Sequence, residues 1–121
     1  MDLDGWKRKI YEKLELEILI SRYPVDRDIY LSILDMVLEV VLCKADSYRV
    51  AGAEYPTELV RERFLNLDSS HVEYVAECMK DNTTRIRNIK QYMLTALFNA
   101  PATKDSFYRA EVRYDLCQGK M

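Results

Sequence analysis

Eight side chains in the last third of the chain have types and spacing that could do chemistry: Arg85, Arg87, Lys90, Tyr92, Lys104, Tyr108, Arg109 and Arg113. With Tyr114 they interleave aromatic rings and cations. Rings in such a pattern can stack bases while the cations hold phosphates. The same residue types also anchor protein interfaces, because tyrosine and arginine combine contact area with polar tips. Charge decides between these uses. Up to Met79 the chain carries 10 Lys and Arg against 16 Asp and Glu, and from Lys80 onward 8 against 4. The net charge is -2, so a modestly basic third sits on an acidic body. Asp81, Asp105, Glu111 and Asp115 interrupt the basic run, and the acidic body adds repulsion toward a polyanion. The expectation is protein docking, with weak DNA binding by the basic C-terminal third or an oligomerisation domain as the alternatives.

Other reactive groupings are missing from the sequence. His71 is the single histidine and falls at a helix start, where a positive charge is disfavoured. No nucleophile or acid is spaced to work with it. Glu12, Glu15 and Glu17 fit a solvated helix face. Gly5, Gly52 and Gly119 are scattered, so no glycine loop cradles a phosphate. Neither a GxSxG nor an HExxH motif occurs. Cys43, Cys78 and Cys117 are odd in number and far apart, without the paired spacing of a zinc site. Two of them lie in apolar helical patterns, where cysteine behaves as a small hydrophobe. The chain is expected to be non-enzymatic, to need no cofactor or metal, and to reside in a reducing cytoplasm. The charged start (Asp2, Asp4, Lys7, Arg8) does not read as a secretory leader, and no apolar run is long enough to span a bilayer.

The elements that must position these residues are helical. A length of 121 residues suits one domain, able to bury roughly two-thirds of its unfolded surface. The organising stretch is 70–101. Ser70 and Glu73 have capping-box spacing, and Val72, Val75, Ala76 and Met79 follow at helical intervals. Asp81 to Thr84 breaks the pattern. A second helix places Ile86, Ile89, Met93, Ala96 and Leu97 on one face, and Pro101 marks its end. The two form a helical hairpin against which the rest packs. Before it, one helix is expected over 4–22, with Trp6, Ile10, Leu14 and Ile18 as its stripe and Leu3, Tyr11 and Leu19 widening it. Asp26 is placed as the N-cap of a helix running to about Cys43. That helix is apolar nearly all round and so central and buried. Residues 47–55 suggest an extended segment or small hairpin. Pro56 opens a short helix burying Leu59, Val60, Phe64 and Leu65. A last helix is expected over 104–116. The fold class is all-α, five to six helices around the hairpin, with one tiny β element near 47–55.

The run from Tyr55 to Leu116 resembles the helical C-terminal region of replication initiator protein A chains from plasmids and conjugative elements of Gram-positive bacteria. The most specific stretches are Leu67 to Val75, Asn82 to Thr84, Ile86 to Lys90 and Ala96 to Pro101. The earlier segment from Leu14 to Leu42 resembles the same region. The chain is also distantly similar to the C-terminal domain of the DnaD primosome proteins, with Ile89, Met93 and Leu97 at the positions of their helical motif. Such initiators carry an N-terminal winged-helix domain that binds the origin. The resemblance therefore implies the other half of the task, docking of replisome proteins such as primase or a helicase loader.

The thiols give a direct check. Three free thiols per chain are expected on unfolding under non-reducing conditions, and no stoichiometric zinc by elemental analysis. Fewer thiols, or bound zinc, would overturn this reading.

Overall fold

A helix that is apolar around most of its circumference must be covered from several sides, and the chain does this in sequence order. The computed structural model describes residues 2–82 and 88–101, with the backbone alone for residues 81 and 82. It is mostly helical. The elements are α1 (Leu3–Lys13), α2 (Leu16–Arg22), a single 3-10 turn (Pro24–Asp26), α3 (Arg27–Val41), β1 (Ser47–Val50), β2 (Ala53–Pro56), α4 (Thr57–Leu65), α5 (Ser69–Asn82) and α6 (residues 89–101). The expected all-α fold with one small β element is what forms. The helix expected over 104–116 lies outside the described residues.

α3 is the central helix. Tyr30, Ile33, Leu34, Met36, Val37, Leu38, Val40 and Val41 are all buried along it. Elements α1, α2, α4 and α5 all pack against it. Asp26 stands at its N-cap position as expected, but its carboxylate makes no cap bond. It lies buried and meets Lys80 Nζ of α5 at 3.2 Å. At the other end Arg61 of α4 donates from Nε to the Val41 carbonyl (3.0 Å) and from Nη2 to the Cys43 carbonyl (2.7 Å). These carbonyls have no partner within the helix, so one guanidinium satisfies what the helix end leaves open. Glu58 holds the third arm of the fork.

The expected first helix is two. Glu15 adopts φ 54°, a left-handed conformation, between α1 and α2. The reason is phase. Ile10 and Leu14 share an inward stripe, but Leu16, two residues on, would point about 200° around a continuous helix. The left-handed step rotates α2 so that Leu16 (fully buried) and Leu19 turn inward, while Ile18, expected in the stripe, is 53% exposed. Leu3 is exposed as well. Asp2 caps α1, its Oδ1 accepting from the Gly5 N–H at 2.8 Å.

The ambiguous segment is a two-residue hairpin, pairing Ser47 with Pro56 through Val50 with Ala53. Ala51 (φ 53°) and Gly52 (φ 81°) both take left-handed angles. Such a turn matches the twist of the flanking strands. Buried Val50 fixes the hairpin to the core. In α4, Val60 and Phe64 are buried, whereas Leu59 is exposed and Leu65 only partly covered. Pro56 precedes the helix as its N-cap residue.

The cap of α5 also differs from the expected Ser70–Glu73 box. Helix α5 begins at Ser69, and Asp68 is the capping residue. Asp68 Oδ1 accepts from the His71 N–H (3.0 Å) and the Ser70 hydroxyl (2.8 Å), while His71 Nδ1 accepts from the Asp68 N–H (3.2 Å). This is the reciprocal logic of a capping box with histidine in the glutamate's place. Burial disfavours the Asp68 carboxylate, but the bonds from Ser70 and His71 outweigh it and hold its pKa below the ordinary value.

Glycine is the residue suited to the joint at position 15, because it adopts a left-handed conformation without steric strain. Glu15→Gly is therefore expected to raise the melting temperature, with a gain of up to about 1 kcal/mol. A thermal melt checks it, and a clear drop would mean that the joint is not the strained position described.

Candidate functional site

Of the eight residues singled out from sequence, Lys90 and Tyr92 belong to the described structure. Arg85, Arg87, Lys104, Tyr108, Arg109 and Arg113 lie outside the described residues. Asn88 starts α6, its Oδ1 accepting from the Gln91 N–H at 3.0 Å. Burial along α6 falls on Met93, Leu94, Leu97, Phe98 and Ala100. Ile89, expected on the inward face, is 42% exposed. It occupies the first helical position, ahead of the turn whose side chains reach the core. Phe98 anchors the other end of α6, 4.9 Å from the Tyr55 ring and under the Arg63 guanidinium at 4.2 Å. Tyr92 is half-buried against the core.

An open groove of about 330 Å3 runs between α3 and α6. Ser32, Asp35, Met36 and Glu39 line it from α3, and Ile89, Lys90 and Met93 from α6. The two methionines are buried and form an apolar, deformable floor. Glu39 closes one end. Its Oε1 meets Lys90 Nζ at 3.0 Å, and its Oε2 accepts from the Tyr48 hydroxyl at 3.2 Å. One carboxylate thus ties α3 to α6 and to the hairpin. Burial, then the Glu39 charge and hydrogen bond, pushes the Tyr48 hydroxyl up to about 12. Asp28 and Asp35 are exposed on the same side of α3, and neither has an ion-pair partner among the described residues.

Sequence reasoning found Lys90 and missed its partner. The signal was present. Asp28, Ser32, Asp35 and Glu39 recur at three- and four-residue spacing through a helix otherwise apolar. They mark a face of α3 left uncovered among the described residues.

Several of the remaining charged groups pair structurally. Glu73 accepts from the Tyr23 hydroxyl at 2.7 Å and meets Arg22 at 3.7 Å. The bond to Glu73 is the main reason that the Tyr23 hydroxyl is raised above its ordinary value. Lys80 is raised by its bond to Asp26. Tyr30 is wholly buried beside them, and its hydroxyl meets no hydrogen-bond partner among the described residues. His71 is occupied in the cap of α5. Cys43 and Cys78 are half-buried and neither forms a disulfide, and Cys117 lies outside the described residues. Among the described residues no three Asp, Glu, His or Cys side chains gather to hold a metal. None of the described helices is long and apolar enough to cross a membrane.

Fold and groove define a small helical domain with a shallow, acid-rimmed apolar cleft. The chain belongs to the DUF6017 family, a family of unknown function whose model matches residues 1–119. No curated protein and no solved structure matches it.

The Glu39 carboxylate makes a testable pH signature. In the unfolded chain Tyr48 ionises near 10.0, and in the folded chain near 12. A raised folded pKa means that its contribution is complete below about pH 10 and is lost as pH rises toward 12. Glu39→Gln should lower the Tyr48 pKa part of the way, with burial retaining the rest. Carbon-13 NMR of the tyrosine ring carbons reads this directly, and an unchanged pKa would remove Glu39 as a cause.

Proposed function

We propose that this chain is a non-enzymatic docking domain of a plasmid-type DNA replication initiator, which recruits a replisome protein such as primase or a helicase loader. The observation that carries the docking part is the groove. It offers an apolar floor and carboxylates at the rim, and the one cation lining it among the described residues, Lys90, is already bound to Glu39. A phosphate chain entering there would meet Asp35 and Glu39. A protein segment can bury its apolar side chains on Met36 and Met93 and set polar groups on the rim. The replication setting rests on the resemblance of Leu67 to Val75 and Ala96 to Pro101 to initiator C-terminal regions.

Fluorescence anisotropy with single- and double-stranded oligonucleotides, at about 150 mM salt, run beside purified primase and helicase loader, tests the proposal. DNA should bind no tighter than the non-specific range of roughly 10⁻⁴ to 10⁻⁶ M, and one of the two proteins should bind more tightly. Submicromolar DNA binding, abolished by Arg85→Ala/Arg87→Ala/Lys90→Ala while neither protein gives a signal, would replace docking by nucleic-acid binding.

A further inference from the structure

We infer that the groove between α3 and α6 receives a basic amphipathic helix from the partner protein, an inference that rests on the docking reading and specifies its ligand. The geometry sets the shape. From Ser32 to Glu39 the α3 wall runs eight residues, about 10 Å or two helical turns. A helix laid along such a wall presents anchors at i and i+3 or i+4 to the floor. Met36 and Met93 make that floor, and exposed Ile89 stands at its edge. Unbranched thioether side chains can repack around different aliphatic anchors.

Charge sets the sign. Along α3 the residues outside the core on this side are Asp28, Ser32, Asp35 and Glu39. The only basic residue in α3 is Arg27, in its first turn. Lys90 offsets Glu39, whereas Asp28 and Asp35 have no ion-pair partner among the described residues. The rim therefore keeps the Asp35 carboxylate without a cation partner among the described residues, and Asp28 continues the same face of α3 beyond the groove. Lys or Arg flanking the partner's apolar stripe would meet them, and an acidic helix would be repelled.

The test uses the full chain and three labelled peptides of about 18 residues, long enough to sustain a helix. One has Leu at i, i+4 and i+7 flanked by Lys and Arg, the second is its scrambled isomer, and the third replaces Lys and Arg by Glu. The first should bind at least about tenfold tighter than either control. Ile89→Asp should weaken it by a similar factor. Asp35→Lys, an exposed substitution that leaves the melt unchanged, should weaken the basic peptide and strengthen the acidic one. Equal binding of the scrambled peptide would reduce the effect to net charge and overturn the inference. So would displacement of the probe by a peptide of residues 102–121, which would make the chain its own occupant. Self-association abolished by Ile89→Asp, without peptide binding, would give the groove to a second copy. Primase or helicase loader binding untouched by Asp35→Lys and Ile89→Asp would overturn the groove assignment and leave the docking function standing. Peptide binding with no response to either replisome protein would do the reverse.

Discussion

Eight of the fifteen residues of α3 are buried, and no single neighbour can cover them. Each buried aliphatic or aromatic side chain contributes about 1.5–3 kcal/mol when removed from water. The largest favourable term in this fold is therefore the coating of one helix. α1 and α2 cover part of it, α4 another part, and α5 packs on it as well, while the hairpin reaches it through the Tyr48–Glu39 bond. Burying a helix this completely creates a second demand, because its terminal carbonyls leave water as well. Arg61 meets that demand at the C-terminal end. Asp26, freed from capping, meets Lys80 at the other. Both ends of α3 are thus held by cations from helices that come later in the chain, so the local sequence of α3 does not by itself define its ends.

The side of α3 left open among the described residues is also the one with carboxylates. Glu39 does there what a packed side chain does elsewhere, since it joins α6 and the hairpin to the central helix. It does so by charge and hydrogen bonding. An exposed pair of this kind contributes little to stability, typically 0–1 kcal/mol. The groove beside it is accordingly lightly sealed among the described residues, and its apolar floor stays within reach of a second molecule.

How much of this could be read from the sequence depends on the range of the interaction. The central helix was legible, because its apolar residues run through most of its circumference. So were the hairpin near 47–55 and the core of α5, where Val72, Val75, Ala76 and Met79 are buried. The joint at Glu15 was not, although Leu14 and Leu16 both being apolar held the clue. A stripe through Ile10, Leu14 and Ile18 fits a straight helix equally well until the packing of Leu16 is known. The α5 cap was misplaced by two residues, because Ser70–Glu73 satisfies a local rule and Asp68–His71 satisfies it better. Ile89 was misjudged since the start of α6 is set by Asn88. The groove was half legible. Lys90 stood out among basic neighbours, but its carboxylate partner lies 51 residues earlier in the chain, beyond the reach of any periodicity.

The left-handed joint at Glu15 has a dynamic consequence. Within its eleven residues α1 buries Ile10 alone, with Trp6 and Tyr11 partly covered, whereas the shorter α2 buries Leu16 and Leu19. A continuous helix would have to lift both sets of contacts together. With the hydrogen-bond ladder interrupted at residue 15, α1 can detach while α2 stays seated, and the opening free energy of the two segments separates. The amide protons of α1 then exchange with solvent before those of α2.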